Sequence, residues 1–532
     1  MRNRKNTGSD QGLSAQWILI FVLLIGFLLR LHNLGSQSFW FDEIATYVRT
    51  ILSFDEFVEE LFGTRNHVPV YFLLMRGWAL LGDSELVFRY FSLIWGVIAI
   101  AIIFRLGSYL AGWRVGLIAA YLLAISPFHI WYSQEARMYT LTPVLILCAH
   151  WFFVRGLRSN KIGDWIGYAA FMLVALYTHY LTLLIFAAHY TYFAIHYRSL
   201  KPLFFRWLGL AVIVGLLFGL WGAYILVLGG FSSSPIDWIA AANWNEPILT
   251  LLAMSVGPTI DPGQVYLYLI PAIFVLSSGL FFVMVSRKQN ITGNEDVRPF
   301  SFWSSRLLLF WLIVPVLITF LISFDWSIPR QRSIYVDRYL IIVLPALLVA
   351  VSWGLVILGD LLKKRWVIPL VLGAVTVISI NPIRNNYSDP LYSRPDWRTA
   401  FKILQERATP EDVILGKEVD LLPVYYYNGE DNKFVNLPDG GAGSGNEHNQ
   451  KMAEIVKNEA QAASQIWLLT HYFNNDPHGF PQIRNRQLAE AELVSPHKIW
   501  MDKNLREIGE WKVTGILLSL YELPESIEAG EG

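Results

Sequence analysis

The chain has 532 residues, of which 54% are hydrophobic, 15% aromatic and only 16% charged, with a formal net charge of zero and a mean hydropathy of +0.40. Soluble domains carry roughly a quarter charged residues, so most of this chain belongs in lipid. The neutral balance speaks against a nucleic-acid partner, and the single cysteine, Cys148, excludes an intrachain disulfide and any multi-cysteine metal site.

The first apolar stretch, 15–34, is long, holds Arg30 near its end and lacks a small-residue cleavage site. It reads as a membrane helix and not as a cleaved signal peptide. Just beyond it stands FWFDE at 39–43, with Asp42 and Glu43 at the start of a loop of about 50 residues. A carboxylate pair at the mouth of a membrane bundle either docks a cation or acts as a general base. The two neighbours are expected on a non-helical turn, pointing differently. Asp42 is alternatively the N-cap of the helix that follows, EIATYVRTIL. Later in the loop, FVEELF at 57–62 and VPVYFLLMRGWALLG at 68–82 have apolar residues at helical spacing. The second is short and interrupted by Pro69 and Gly77, so it is expected to lie in the membrane interface.

Ten further spans are expected, at 86–104, 115–130, 139–156, 164–180, 181–197, 207–228, 264–285, 306–324, 339–359 and 366–381. The pair 164–180 and 181–197 reads as two tilted helices joined by a tight turn. Lys and Arg enrich every second loop, as in Arg105 with Arg114, and Lys363, Lys364 and Arg365. That places the N-terminus in the cytoplasm and both the Asp42 loop and the tail outside. Arg137, Arg330, Arg332 and Arg338 break this bias in outer loops. They pair with headgroups or a nearby carboxylate, or they form an outward-facing phosphate site, for which the planar guanidinium fork is suited.

From about Arg384 the chain changes character. DWRTAFKILQERA at 396–408 and MAEIVKNEAQAASQ at 452–465 read as helices. DVIL, KFVNL and IWLLTHYF read as strands. PDGGAGSGN at 438–446 lacks a following Lys-Ser/Thr and reads as a connector. The fold class expected is a polytopic α-helical membrane protein of about eleven spans, residues 1–383, with interfacial helices in its first outer loop. A small extracytoplasmic α/β domain, residues 384–532, follows.

Four segments in order carry a resemblance. They are FWFDE followed by NHVPVYFLLMRGWALLG and ELVFRYFSLIWG; SPFHIWYSQEARMYTL at 126–141; VDRYLIIVLPAL at 336–347; and the tail opening PDWRTAFKILQERATPEDVIL. Together they resemble the C-type membrane glycosyltransferases, nearest to the group of protein O-mannosyltransferases and the aminoarabinose transferase of lipid A. The resemblance implies transfer of a sugar from a polyprenyl-phosphate carrier to a protein, lipid or polysaccharide acceptor, on the outer face of a bacterial plasma membrane. It implies an acidic base in the first outer loop, matched here by Asp42 with Glu43 beside it. It also implies that Glu135, Arg137 and Tyr139 contact donor phosphate or acceptor, and that Arg332, Arg338 and Tyr339 bind the carrier phosphate. His67 and His179 complete the candidate set. Glu43, His67 and His179 are ordinary zinc-ligand types, so a divalent metal ion is left open without being assigned. The competing classes are a lipid-linked sugar transporter or flippase and a non-catalytic envelope-glycan assembly protein. No internal repeat is found, and the ionisable residues cluster at helix ends, which favours chemistry at the interface over passage through the bundle.

Overall fold

The computed structural model describes residues 6–64, 68–227, 239, 241–261, 263–287, 300–327, 333–364, 366–417, 422–427, 433–437, 445–460, 463, 465–471 and 495–523. These fall into two compact units. The first holds the described residues up to Leu34 and within Ser53–Tyr387; the second holds Gly35–Leu52 and those from Ser388 onward. The segment bearing Asp42 and Glu43 therefore groups with the tail, across the division drawn at 383/384 from the sequence.

In chain order the helices are α1 (Asn6–Leu31), α2 (Phe41–Ile51, in the second unit), α3 (Phe54–Thr64), α4 (Pro69–Trp78), α5 (Glu85–Ala111), α6 (Trp113–Ile125), α7 (Pro127–Ser133) and α8 (Leu141–Ser159). They continue with α9 (Ile162–Leu176), α10 (Leu183–Ile195), α11 (Tyr197–Val227), α12 (Glu246–Val256), α13 (Leu269–Arg287), α14 (Phe300–Ser323), α15 (Asp337–Leu340), α16 (Leu344–Leu361) and α17 (Val367–Ser388). Every apolar stretch expected to span falls on helix. Among the described residues seven helices are long and apolar enough to cross a membrane, and α6 with α7 pass that test together but are bent by 61° at their junction. Ala15–Leu31, Ile162–Leu176 and Tyr180–Ile195 are shorter apolar helices. The span ending in α16 is 89% buried and central; the one in α11 is only 11% buried. A Cβ at Gly354 of α16 would stand 1.8 Å from the Ser277 carbonyl oxygen of α13, so only glycine permits this approach.

The stretch 115–130, expected as one span, is broken. Pro127 has no N–H to continue the helix, and the Ser126 hydroxyl caps α7 by accepting from the His129 N–H at 3.3 Å. The break leaves the Ala124 carbonyl without a backbone partner and the Leu123 carbonyl with only the Ser126 N–H at 3.4 Å, in a region poor in water. Arg30 of α1 satisfies them. Its guanidinium donates to the carbonyls of Leu123, Ala124 and Gly26 at 2.8–2.9 Å, to Ser133 Oγ at 3.1 Å and to His129 Nδ1 at 2.9 Å. All five guanidinium N–H groups are accounted for.

A second polar chain crosses the bundle among α8 to α11. His150 Nδ1 faces the Ile146 carbonyl at 2.9 Å and must donate to it. Its Nε2 is then an acceptor, which makes His189 Nε2, 3.2 Å away, the donor. His189 Nδ1 accepts from Tyr168 at 2.8 Å, and the Tyr168 hydroxyl accepts from Trp207 Nε1 at 3.1 Å. One direction of donation satisfies every member with both imidazoles neutral, which is how a polar network is tolerated in lipid.

The second unit is a five-stranded sheet in the order β2-β1-β3-β5-β4, with β1 (Val413–Lys417), β2 (Lys433–Leu437), β3 (Gln465–His471), β4 (Arg506–Val513) and β5 (Ile516–Glu522). β1 pairs in parallel with β2 and β3; β5 runs antiparallel to β3 and β4. α18 (Trp397–Arg407), α19 (Val424–Tyr427), α20 (Gly445–Ala460) and α21 (Pro496–Asn504) accompany it. Leu415, Leu437, Met452, Val456, Leu468 and Met501 form the core. The three expected strands are present as β1 to β3. The β4–β5 hairpin is a finding of the structure; it turns at Gly515, whose φ of +71° suits glycine.

Candidate active site

The expected sites occur in both units. In the second, α2 begins one residue before Asp42. Trp40, in extended backbone, is the N-cap, so Asp42 is neither the cap nor on a non-helical turn. Glu43 at the third helical position reaches back to the Trp40 N–H at 3.3 Å, the acidic half of a capping box. The same Oε2 accepts from Arg394 Nη1 at 2.5 Å, with both side chains buried. Consecutive helical residues point about 100° apart. Glu43 is thus turned into the unit, while Asp42 is half-buried. The Asp42 carbonyl is engaged by Thr46 Oγ1 at 3.0 Å.

In the first unit, the loop between α7 and α8 carries Glu135, Arg137 and Tyr139, all buried. Ser92 of α5 pins it twice: its hydroxyl donates to the Arg137 carbonyl at 3.1 Å, and its carbonyl accepts from Thr140 Oγ1 at 2.9 Å. Gln134 anchors the loop's start by donating to the carbonyls of Arg30 and His32 at 3.0 and 2.7 Å. The Arg137 guanidinium lies 5.9 Å from the centre of the Phe72 ring of α4, a cation–π distance.

Two other segments meet this loop. His179 stands in the turn between α9 and α10, its Nδ1 accepting the Leu181 N–H at 3.2 Å, within electrostatic range of Arg137. The His179 and Tyr339 rings are 5.3 Å apart, and the Arg338 guanidinium is 5.6 Å from the Tyr339 ring centre. Tyr132 packs edge-on to Tyr139 at 5.3 Å and feels Glu135, Arg338 and Asp337. Glu135, Arg137, Tyr139, His179, Arg338 and Tyr339, drawn from three segments far apart in sequence, therefore gather in one neighbourhood. His67 and Arg332, with Arg330, lie outside the described residues.

Sequence reading did not single out Arg394, Asp337 or Arg30 as functional. Asp337 is fully buried and accepts from Thr250 Oγ1 at 2.6 Å. Its signal in the sequence is its place beside Arg338 in the segment VDRYLIIVLPAL. Among the described residues no group of three His, Cys, Asp or Glu is placed to hold a metal ion. The Glu43 carboxylate, one of the three considered, is already engaged by Arg394 and the Trp40 N–H.

Residues 66–221 match the family model described as dolichyl-phosphate-mannose-protein mannosyltransferase. Over the whole chain the fold is similar to ArnT from Cupriavidus metallidurans in the apo state, at 13% identity and TM-score 0.55, covering 96% of this chain and 98% of that one. It is similar to the same protein bound to undecaprenyl phosphate, at 12% identity, TM-score 0.54, and 95% and 97% coverage. It is also similar to the Archaeoglobus fulgidus oligosaccharyltransferase in the apo form, at 11% identity, TM-score 0.53, and 95% and 74% coverage. No curated protein matches the chain. The fold is that of the C-type membrane glycosyltransferases, as the ordered motifs implied.

Proposed function

We propose that this chain is a C-type glycosyltransferase that moves a sugar from a polyprenyl-phosphate carrier to an acceptor hydroxyl on the outer face of a bacterial plasma membrane. The observation that carries the reading is the gathering of Arg137, His179, Arg338 and Tyr339 at the loops of a helical bundle with this fold. The ArnT structure bound to undecaprenyl phosphate supports a lipid phosphate as the carrier group. Alternation of Lys- and Arg-rich loops supports a cytoplasmic N-terminus, with the part from about residue 384 outside.

The proposed step is a single displacement. Asp42 takes the proton of the acceptor hydroxyl. The acceptor oxygen bonds to the anomeric carbon as the bond from that carbon to the phosphate oxygen breaks. The electron pair leaves with the phosphate. Arg137 and Arg338, held beside aromatic rings in a partly dry site, stabilise the charge that develops on it. Tyr339 and His179 shape the arginine pair's surroundings, Glu135 and Tyr139 line the acceptor side, and Glu43 orients α2. Arg332 and His67 are proposed for carrier-phosphate and acceptor contacts. The acceptor is a protein, lipid or polysaccharide.

The test is transfer of radiolabelled sugar from a panel of polyprenyl-phosphate sugars to membrane acceptors by purified protein, beside Asp42→Asn. Turnover by the wild type and a loss of about 10²-fold or more in the folded variant fit the role of a base. Equal activity of the two removes Asp42 from that role. Movement of labelled carrier across vesicles without transfer would instead support a flippase.

A further inference from the structure

We infer that the C-terminal α/β domain positions the base: Arg394 and Tyr427 hold the Asp42 helix in place, so the domain acts on the chemistry through α2. This rests on the proposal that Asp42 is the base. Isolated helices shorter than about 12–15 residues are marginal in water, and α2 has 11. Its place is therefore set by what it docks on, and within the second unit that is the tail.

The docking is dense and continuous from Gly35 to Tyr47. Arg398 donates to the carbonyls of Ser36 and Gly35 at 3.3 and 3.4 Å. The Arg394 N–H donates to Gln37 Oε1 at 3.2 Å. Ser38 Oγ accepts the Arg398 N–H at 3.1 Å and donates to Asp396 Oδ1 at 3.3 Å. The Phe39 N–H, just ahead of the helix, donates to the Tyr427 hydroxyl at 2.6 Å. Tyr426 packs against Phe39 and Tyr47 with ring centres 4.9 and 4.7 Å apart.

The Glu43–Arg394 pair then fixes the helix's rotation. The two side chains are 0% and 9% exposed. A buried ion pair adds little net stability, but removing one partner strands the other's charge. Such a pair specifies an arrangement more than it strengthens one. Glu43 also accepts the N-cap Trp40 N–H, so the same carboxylate bears on where α2 starts and how it is turned. Asp42, one residue earlier, inherits both settings. A misplacement of about 1 Å at a reacting group costs on the order of 10²-fold in rate.

The experiment measures kcat and donor KM for the full-length protein and for Arg394→Met, Glu43→Gln, their double variant, Tyr427→Phe and Asp42→Asn. Gln at position 43 keeps the cap and removes the charge. Arg394→Met and Glu43→Gln should each lower kcat by about 10- to 100-fold with donor KM within about 2-fold. The double variant should be no worse than Arg394→Met, because the two residues act as a unit. If Arg394→Met does not yield folded protein, Tyr427→Phe carries the test with a severalfold fall in kcat. Wild-type kcat in Arg394→Met and Tyr427→Phe beside an inactive Asp42→Asn overturns the inference alone. A loss confined to acceptor KM also overturns it, since the domain would then be reading the acceptor. Wild-type activity in Asp42→Asn overturns the base assignment itself, whatever the other variants do.

Discussion

Asp42 and Glu43 are one residue apart and chemically near-identical, yet the structure gives them different surroundings. The difference is rotational. At about 100° per residue, Glu43 meets Arg394 and the Trp40 N–H while Asp42 stays half-buried. The sequence displays the pair plainly, because adjacent acids after a membrane helix stand out in an apolar chain. It does not display which of the two is taken, because Arg394 lies 351 residues away and nothing in its local sequence marks it as a partner. The arginines behave similarly. Arg137 and Arg338 are visible as breaks in the charge bias, and their convergence with His179 and Tyr339 is visible only in the fold. The planar fork makes a testable difference at Arg137. Arg137→Lys keeps the charge and loses bidentate phosphate geometry. It should lower kcat by at least about 10-fold, and Arg137→Met further, in the assay of labelled sugar transfer. A lysine variant at the wild-type rate would mean that Arg137 serves as a bulk charge, as a headgroup-binding arginine does.

At the scale of elements, the break between α6 and α7 shows where periodicity stops informing. An apolar run of 115–130 satisfies the length and hydropathy of a span, and Ser-Pro inside it is compatible with a kinked continuous helix. The 61° bend is settled by Arg30, which supplies partners to the freed carbonyls of Leu123 and Ala124 from another helix. Bending α7 away starts the loop that carries Arg137, so a residue of α1 shapes the site without lying in it. Arg30→Met removes five donated hydrogen bonds and leaves the buried Ala124 carbonyl unsatisfied, at a cost of about 1–3 kcal/mol, and that of Leu123 with one long bond. Thermal unfolding in detergent should show a large drop in midpoint. Gly96→Ala tests the same joint from α5, since its Cβ would stand 2.5 Å from Ser133 Oγ and 3.2 Å from Arg30 Nε. It should destabilise in the same assay, though less, because the serine hydroxyl can rotate away. An unchanged midpoint in Arg30→Met would show that water reaches the break and does the guanidinium's work.

For the whole molecule, linear order and spatial grouping disagree at one place, and that place bears the candidate base. The change of composition near Arg384 is a true signal of a soluble α/β domain, and strands β1 to β3 were readable from their apolar runs. Membership of Gly35–Leu52 in the same unit was not, because a short amphipathic segment carries no record of the surface it packs on. This grouping predicts shared stability. Cooperative units open together in hydrogen exchange, so weakening the sheet should loosen α2 although the two are far apart in sequence. Leu468, fully buried in β3 and in the core with Leu415 and Met452, is the place to weaken it. Leu468→Ala should cost about 2–5 kcal/mol. Amides of β1 and of α2 should then exchange faster together, while those of α16, central to the other unit, keep the wild-type rate. Faster exchange in β1 with α2 unchanged would mean that the helix is held by the membrane bundle and that the tail is a bystander to the chemistry. Faster exchange in all three would mean that the two units unfold as one body, and the base helix would then report on the stability of the entire chain.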